Sequence, residues 1–513
     1  MQLSKLCEGA EVIKFIGVNK EKEITNLTID YKDAESDSVF FAIKGDKFNG
    51  NVFSSEVVKK GGVVVTDDEN YAHNFLISGG KNLILTKSAR GAMSQISANF
   101  YQNPQEKLKI IVVVGTNGKT STACILRDIF EYSGIRTGII GTLETRFEDL
   151  IFQSEMTTPD PIALFEILSE MQKAGCKVVV MEWSAHAIAL EKLSNLTCEI
   201  AIFTNLSQDH LDFFGDMKEY KEAKKSIFIK ERVKMAVVNA DDACGAEIIS
   251  ESRIPILSYG IENVCDVFCI FGEDMQKFTN KIFENEKNNA TSGELIVNYL
   301  DEICTITSFL KGRFNVYNLL GSVAAARYFG IDFKTITAAV LGIEGVAGRY
   351  QTVENNLGIE IVIDYAHTPD GMENILKEMK NSLSKTQTQT KTQTQIGEKP
   401  KLICVFGCGG NRDKTKRNVM GGISEKYADV TILTSDNPRL ENPESITNDI
   451  LQGFQNSENA IVIQKRESAI NHAINIAKKG DSIAILGKGH EDYIDEAGEK
   501  RYYTDIETVK KYI

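Results

Sequence analysis

A short glycine-containing segment at residues 115–121 places the strongest constraint on the fold of this chain of 513 residues. The apolar run 110–114 before it is typical of a buried strand, and residues 122–130 after it are typical of a helix. A strand, a tight turn and a helix start gather backbone N–H groups at the positive end of a helix dipole. The segment therefore predicts a phosphate-binding loop inside a strand–helix unit.

Two side chains of this loop suit nucleotide chemistry. Lys119 can reach the outer phosphates, and the hydroxyl of Thr120 can bind a magnesium ion. The usual Walker pattern has glycine six residues before the lysine, where this chain has Val113. The flanking strand and helix still favour nucleotide binding over an ordinary turn. The expected nucleotide contacts are Gly115, Thr116, Asn117, Gly118, Lys119, Thr120 and Ser121.

The chain is acidic, with 58 Lys and Arg against 71 Asp and Glu and a net charge of −13. That balance argues against a nucleic-acid partner, which normally needs a basic face. No apolar run approaches the ~20 residues of a membrane span, and the N-terminus lacks a signal-peptide pattern. The ten Cys lack CxxC spacing and are expected to be reduced core thiols. We therefore expect a cytoplasmic protein with no membrane span and no nucleic-acid partner.

The length predicts several domains, and the strand–helix pattern divides the chain into residues 1–106, 107–335 and 336–513. The predicted strands are 37–45 and 62–66 in the first block, 177–182, 200–204 and 235–239 in the second, and 361–364, 402–407, 430–434 and 482–487 in the third. Apolar strands that alternate with helices indicate a parallel sheet covered on both faces.

Two further segments bear on this organisation. Residues 311–318 are expected to precede an Ala-rich helix. Residues 384–395 are rich in Ser, Lys, Thr and Gln and cannot bury a core. They are therefore expected to form a mobile surface loop.

Polar residues follow the predicted strands at their carboxyl ends, where open α/β sheets bind ligands. Glu182, Asn205, Asp209, His210, Asn239, Asp241 and Asp242 have this position in the second block. A carboxylate and an imidazole near a phosphate loop can coordinate magnesium. One such residue alone is more often a helix cap, but their shared position favours a site. In the third block, the Arg, Lys and Asp of segments 407–417, 435–439 and 487–492 favour an anion or amino-acid site.

Six motifs, in order along nearly the whole chain, resemble the Mur ligases of peptidoglycan synthesis, and among them the MurE type. They are residues 115–120, 157–159, 209–212, 312–315, 364–367 and 436–439. The resemblance implies three α/β domains. The N-terminal α/β domain would hold the UDP end of the substrate, the central P-loop parallel-sheet domain would bind ATP, and the C-terminal Rossmann-like domain would bind the added amino acid.

The resemblance also implies an activity. An ATP-dependent ligase would add meso-diaminopimelate to the D-glutamate of UDP-N-acetylmuramoyl-L-alanyl-D-glutamate through an acyl phosphate, with Mg²⁺ and a carbamylated lysine at the site. We expect it to act as a monomer. The alternatives are L-lysine as the added amino acid, a ligase similar to folylpolyglutamate synthase, and a nucleotide-binding protein without ligase activity.

The same resemblance implies roles for individual residues. The catalytic group is Lys119, Glu182, His210, Lys224 and Arg349. The metal ligands are Thr120, Glu182, His210 and Lys224 as a carbamate, and Asn315 contacts the nucleotide. The UDP-substrate contacts are Ile29, Tyr31, Thr157, Thr158, Ser184 and Lys192. The diaminopimelate contacts are Arg412, Asp436, Asn437, Pro438, Arg439, Gly487 and Glu491.

Arg439 is the residue expected to discriminate between added amino acids. A guanidinium can bind the second carboxylate of meso-diaminopimelate through two hydrogen bonds, whereas L-lysine would leave it unpaired. The chain departs from the family pattern elsewhere. Tyr31 and Lys32 stand where Ser and Arg are usual, Leu190 and Lys192 stand for Gln and Arg, and Asn411 stands for Asp.

Overall fold

The computed structural model describes residues 1–45, 48–153, 156–270, 283–284, 291–390 and 399–513. Three large sheets follow one another along the chain, each packed against helices, which confirms the predicted α/β class. Short 3-10 helices lie at Gly50–Phe53, Pro104–Glu106 and Ser457–Asn459. Among the described residues, no helix combines the length and apolar character needed to cross a membrane.

The first sheet has five strands. They are β1 (Val12–Ile16), β2 (Asn26–Thr28), β3 (Ser38–Phe41), β4 (Val63–Thr66) and β5 (Leu83–Thr86), with helices α1 (Leu3–Leu6), α2 (Ser54–Lys59), α3 (Glu69–Ile77) and α4 (Ala89–Phe100). The spatial order is β1-β5-β4-β3-β2, and only β1 is antiparallel to its neighbour. Strands β3, β4 and β5 are buried along their whole length, as expected for a sheet covered on both faces.

The central sheet has twelve strands. They are β6 (Lys109–Val114), β7 (Thr137–Ile140), β8 (Thr145–Phe147), β9 (Leu150–Ile151), β10 (Val178–Glu182), β11 (Cys198–Phe203), β12 (Val233–Asn239), β13 (Ile256–Gly260), β14 (Val267–Ile270), β15 (Phe283–Glu284), β16 (Thr291–Tyr299) and β17 (Glu302–Ser308). Its middle is parallel, in the order β13-β12-β11-β6-β10-β7. The chain crosses from β6 to both sides, so a switch point of the sheet lies at the carboxyl end of β6.

Helices cover both faces of this central sheet. They are α5 (Lys119–Tyr132), α6 (Pro161–Lys173), α7 (Ala185–Ala189), α8 (Leu211–Phe214), α9 (Met217–Lys225), α10 (Ala243–Glu251), α11 (Arg313–Tyr328) and α12 (Phe333–Leu341). Along β6 the side chains alternate between two cores: Ile111 and Val113 face one, and Val112 and Val114 face the other. Burial on both faces explains why this strand is apolar throughout.

The third sheet has six strands, with a separate hairpin. They are β18 (Gln351–Thr352), β19 (Glu360–Asp364), β20 (Leu402–Phe406), β21 (Val430–Leu433), β22 (Ala460–Val462) and β23 (Ser482–Leu486), and the hairpin is β24 (Tyr493–Glu496) and β25 (Glu499–Tyr502). The helices are α13 (Pro369–Thr390), α14 (Thr415–Tyr427), α15 (Pro443–Leu451), α16 (Arg466–Ile476) and α17 (Asp505–Tyr512). The order is β18-β19-β23-β20-β21-β22, parallel except for β18.

Two predictions about these helices are wrong. Helix α11 begins at Arg313, so Asn315 and Asn318 lie inside it rather than before it. Helix α13 continues through Thr390, so residues 384–390 are helical and not a loop. Its apolar face, with Met372, Leu376 and Met379 in the core, stabilises the helix and lets it continue into a polar sequence. Residues 391–395 of the same tract lie outside the described residues.

The boundaries of the three blocks stay a prediction, although one packing contact bears on them. The predicted boundary after residue 335 falls within helix α12. Its Ile336 and Val340, together with Ile343 and Val346, pack into the core of the central sheet. This packing favours a division after Val346 rather than after residue 335.

Candidate active site

The loop 115–118 joins β6 to α5 at the switch point of the central sheet. Its two glycines are required by close approach to other residues. An added Cβ would lie 1.8 Å from Thr204 Oγ1 at Gly115 and 2.4 Å from Asn318 Oδ1 at Gly118, which also has a φ of +82°. The loop backbone can therefore pack against both neighbours only because these positions lack side chains.

The hydroxyl of Thr120 lies at the centre of a hydrogen-bond network beside the loop. It donates to Glu182 Oε2 at 3.0 Å and accepts from Arg349 Nη2 at 3.0 Å. Glu182 ends β10, is 1% exposed, and also accepts from the backbone N–H of Thr142 at 2.8 Å. The structure thus brings together Thr120 of helix α5, Glu182 of strand β10 and Arg349, which lies between helix α12 and strand β18.

Two lysines converge on one carbonyl of the loop. Lys119 Nζ lies 3.0 Å and Lys224 Nζ 2.6 Å from Gly115 O. Lys224 extends from α9, is 1% exposed, and lies 4.6 Å from the ring centre of Tyr220. Burial, aided by the charge of Lys119, lowers the pKa of Lys224 well below its ordinary value. The site therefore favours a neutral amine at Lys224.

His210 lies beside these lysines on the segment after β11. It adopts a left-handed backbone conformation with a φ of 57°, which is uncommon for a residue with a side chain. Its ring contacts those of His186 and Tyr220, with centres 4.6 Å and 6.0 Å apart. Burial lowers the pKa of His210 to about 3, so the imidazole is neutral near pH 7 and able to act as a ligand.

Asp209 holds His210 in place and also reaches the third sheet. Its Oδ1 accepts the backbone N–H of His210 at 3.0 Å and lies 3.2 Å from Lys416 Nζ. Its Oδ2 lies 3.4 Å from His210 Nε2 and 3.6 Å from His367 Nε2. Burial by itself would raise the pKa of Asp209. The neighbouring His367 and Lys416 outweigh that effect and hold this pKa well below its usual value.

The residues predicted to contact a UDP substrate fall into two places. Thr158 Oγ1 donates to the carbonyl of Glu182 at 2.8 Å and accepts from the backbone of Ser184 at 3.0 Å. The hydroxyl of Thr157 lies 2.9 Å from that of Thr142, and Lys192 Nζ lies 2.6 Å from Asp160. Thr157, Thr158 and Ser184 therefore border Glu182. Ile29 and Tyr31 instead follow β2 in the first sheet, where Tyr31 stacks on Phe53 with ring centres 4.0 Å apart.

Asn315 is connected to helix α5, which follows the loop, through hydrogen bonds of Asn318. Its Oδ1 accepts from Asn318 Nδ2 at 3.0 Å, and Asn318 in turn accepts from Thr122 of α5 at 3.3 Å. The other polar residues after β11 and β12 serve the fold. Asp242 caps α10, Asp241 accepts the N–H groups of residues 261–263, and Asn239 donates to Thr204 O. Asp242 is therefore a helix cap, whereas Asp241 and Asn239 form hydrogen bonds to the backbone of other segments.

A second cluster forms at the carboxyl ends of β21 and β23 in the third sheet. Asn437 Nδ2 donates to Glu491 Oε2 at 2.8 Å. Lys488 Nζ is fully buried and lies 3.1 Å from Asn437 Oδ1, 3.0 Å from Glu491 Oε2 and 3.8 Å from Asp436 Oδ1. Gly487 is needed here, because a Cβ would lie 2.5 Å from Asp436 Oδ2. Asp436, Asn437, Gly487 and Glu491 are therefore neighbours.

Arg439 and Arg412 belong to the two loops beside this cluster. Arg439 Nη1 donates to Gly410 O at 2.8 Å, and a Cβ on Gly410 would lie 1.9 Å from the carbonyl of Pro438. Arg439 and Asn411 both have a φ of 52°, an unusual conformation that concentrates at functional sites. Arg412 is exposed, and its charge adds to burial in lowering the pKa of His186 on the central sheet.

Several residues of these clusters were missed by the sequence analysis. Asp209 and His367 were part of recognised motifs but received no role, and Lys416 and Lys488 lie in segments that were noted as charged. Asp370 accepts from Asn117 of the loop at 2.8 Å and was not singled out. The contacts Asp209–Lys416, Lys488–Asn437 and Asp370–Asn117 each join residues more than 50 positions apart, so no local pattern indicates them.

The fold and the site define a P-loop α/β protein with three sheet-centred units. Residues 113–326 match the Mur ligase middle domain, and residues 348–489 match the Mur ligase, glutamate ligase domain. The chain belongs to the Mur ligase family and is a ligase of that class, which confirms the resemblance found in its motifs.

Named relatives match along the full chain. A UDP-N-acetylmuramoyl-L-alanyl-D-glutamate–2,6-diaminopimelate ligase of Syntrophomonas wolfei is 36% identical over 92% of this chain and 91% of its own length. The ligase of the same name from Clostridium tetani is 34% identical over 100% of this chain and 99% of its own. A solved structure with that name has 26% identity and a TM-score of 0.64, covering 100% of this chain and 98% of that one.

Proposed function

We propose that this chain is an ATP-dependent ligase that joins meso-diaminopimelate to the D-glutamate of UDP-N-acetylmuramoyl-L-alanyl-D-glutamate in peptidoglycan precursor synthesis. The observation that carries the proposal is the combination of full-length relatives named as diaminopimelate ligases with an Arg439 loop beside the Asn437–Glu491 pair. That the enzyme acts in the cytoplasm as a monomer stays a prediction.

The loop 115–121 is proposed to bind the phosphates of ATP. Lys119 Nζ donates to the carbonyls of its own loop, at 3.0 Å and 2.8 Å, and it can exchange these neutral acceptors for phosphate oxygens. Arg349 already contacts Thr120 and would add a second positive charge. Asn315 would contact the nucleotide from the start of α11.

Substituting Gly118 tests this role of the loop. Gly118→Ala is expected to weaken ATP binding about tenfold or more, roughly 1.4 kcal/mol, because the added Cβ must displace the loop from Asn318. Gly134 is a matched control, since it also has a φ of +82° but has no atom within 4 Å of an added Cβ. Gly134→Ala should cost only stability, about 1–2 kcal/mol. Isothermal titration calorimetry measures the ATP affinity of both variants. Equal affinities in Gly118→Ala and Gly134→Ala would contradict the assignment.

Magnesium fits the donors beside the loop. Thr120 offers a hydroxyl, Glu182 a carboxylate and His210 an imidazole. The described residues contain no group of three or more His, Cys, Asp or Glu side chains arranged to hold a metal ion. Mg²⁺ is usually held by one or two carboxylates together with water and substrate phosphates, so this set suits an ion that arrives with ATP. When bound, the ion would neutralise charge on the transferred phosphoryl group.

Lys224 is proposed to complete this set as a carbamate. The lowered pKa favours the neutral amine, whose nitrogen can form a bond to the carbon of CO₂. The nitrogen loses a proton as the N–C bond forms, and the neutral amine becomes an anionic oxygen donor. The negative charge of the carbamate would lie near Lys119, whose Nζ faces the same carbonyl, and a positive Lys119 would attract it.

The proposed reaction has two steps. An oxygen of the D-glutamate carboxylate attacks the γ-phosphorus of ATP, ADP leaves, and an acyl phosphate forms. The amine of the added amino acid then attacks the acyl carbon, and the tetrahedral intermediate loses phosphate and a proton to give the amide. Lys119 and Arg349 would neutralise the charges of two anions that must approach each other, and alignment supplies much of the rate.

The two substrates are assigned to opposite sides of the loop. Thr157, Thr158, Ser184 and Lys192 would hold the muramoyl end, and Ile29 and Tyr31 the uridine end. Arg412, Asp436, Asn437, Pro438, Arg439, Gly487 and Glu491 would hold the amino acid. In this assignment Asp436 and Glu491 attract the ammonium group of the distal centre, and Arg439 binds its carboxylate.

Phosphate release from ATP with UDP-muramoyl-dipeptide tests the function directly. We expect release with meso-diaminopimelate and much less with L-lysine or with no amino acid. Release that is independent of the amino acid would favour a nucleotide-hydrolysing protein without ligase activity. A clear preference for L-lysine would overturn the role of Arg439, and product formation only with a folate substrate would favour the folylpolyglutamate alternative.

A further inference from the structure

The segment that carries the proposed amino-acid contact Arg412 also reaches the segment that carries His210. Helix α14 begins at Thr415, three residues after Arg412. Thr415 Oγ1 accepts from Gln208 Nε2 at 3.0 Å, and Lys416 Nζ donates to Asp209 Oδ1 at 3.2 Å. Both contacts join the third sheet to the chain after β11 of the central sheet.

The Lys416–Asp209 pair is unusual for a contact between two sheets. Lys416 is 7% exposed and Asp209 is 5% exposed, although surface ion pairs normally remain in water. A buried charge that loses its partner is strongly destabilised, so the two groups depend on each other. The pair therefore stabilises the arrangement in which the third sheet packs against the central sheet.

Asp209 connects Lys416 to His210. The same Oδ1 that binds Lys416 also accepts the backbone N–H of His210 at 3.0 Å. The backbone of His210 is in the left-handed region, which costs energy for a residue with a side chain and persists only where neighbours hold it. The Oδ2 atom faces the ring of His210 at 3.4 Å. Both the backbone and the ring of His210 thus depend on Asp209.

We infer that Lys416 and Asp209 are positioning residues that couple closure of the amino-acid domain to the placement of His210. The inference rests on the proposed function, because His210 matters as a ligand only in that reaction. Lys416 touches Asp209 only when the two sheets meet, so the contact would align His210 only in the closed molecule. ATP chemistry would then be favoured when the amino-acid domain is in place.

The first test measures backbone hydrogen exchange of residues 209–214 in the free protein by mass spectrometry. We expect Lys416→Met to raise exchange in this segment at least about tenfold, because His210 loses the support of a fixed Asp209. Lys426→Met is the control, since Lys426 is on the same helix, is 62% exposed and pairs with Glu373 at 2.9 Å. Equal exchange in wild type and Lys416→Met would overturn the inference.

The second test is a double-mutant cycle on kcat. Lys416→Met and Asp209→Asn should each lower kcat about tenfold or more, with KM for the UDP substrate unchanged, and the double variant should be no worse than Asp209→Asn alone. Losses that multiply would show separate roles and overturn the coupling. If wild type has no ligase activity, the proposed function fails, while the exchange experiment still decides whether Lys416 positions the His210 segment.

Discussion

Replacing Lys224 with alanine is expected to lower turnover at least about a hundredfold, the size of loss that follows removal of groups around a metal site. The reason is the position of Lys224, whose buried amine lies 2.6 Å from Gly115 O and whose pKa burial lowers well below its ordinary value. As a carbamate it would supply an anionic oxygen that alanine cannot replace. Steady-state phosphate release with all three substrates measures the effect.

Chemical rescue separates this role from a loss of folding. Acetate or formate in millimolar amounts should restore part of the activity of Lys224→Ala, because a small carboxylate can occupy the space of the carbamate. Lys221→Ala is the matched control, since Lys221 lies on the same helix and pairs with Glu247 at 2.9 Å. It should retain nearly full activity. Full activity in Lys224→Ala would show that the carbamate assignment is wrong.

Arg439→Met is expected to lower kcat/KM for meso-diaminopimelate about a hundredfold. Losing one partner of a desolvated charge pair costs roughly 3 kcal/mol, which corresponds to that factor. The loss should fall mainly on KM for the amino acid, because Arg439 would bind the distal carboxylate and not the reacting amine. Competition between meso-diaminopimelate and L-lysine measures the change in preference.

The control for Arg439 keeps the same change of charge. Arg501 lies on the neighbouring β24–β25 hairpin and is exposed, so Arg501→Met should leave the preference for amino acids unchanged. The affinity of Arg439→Met for ATP should also remain that of wild type. An unchanged preference in Arg439→Met would contradict the specificity assignment, even if the overall ligase activity were confirmed.

Features set by neighbours in sequence were predicted well. The strand 109–114, the glycine turn and helix α5 follow from apolar burial on two faces and from the turn that the glycines permit. Glu182 was found because it ends a strand whose apolar pattern is clear, and the ends of parallel strands meet at one edge of a sheet. These inferences need only local periodicity and the geometry of a parallel sheet.

Features set by distant contacts were missed or wrong. Residues 384–395 were predicted to form a mobile surface loop, yet the buried face of helix α13 lets it continue through this polar tract to Thr390. The predicted boundary after residue 335 divides helix α12, whose apolar face packs on the central core, and the boundary itself stays a prediction. The motif that contains Asp209 was recognised, but the role of Asp209 depends on Lys416 and His367, each more than 150 positions away.

The sequence alone determined the class of fold, the phosphate-type loop and the membership of the Mur ligase family, because strand burial, glycine turns and motif order are recorded in neighbouring residues. Tertiary structure alone decided which charges meet. It brought Lys224 and Lys119 to one carbonyl, Arg349 to Thr120, and Lys416 to Asp209. Burial and long-range electrostatics depend on how the sheets pack together, and no window of sequence contains that packing.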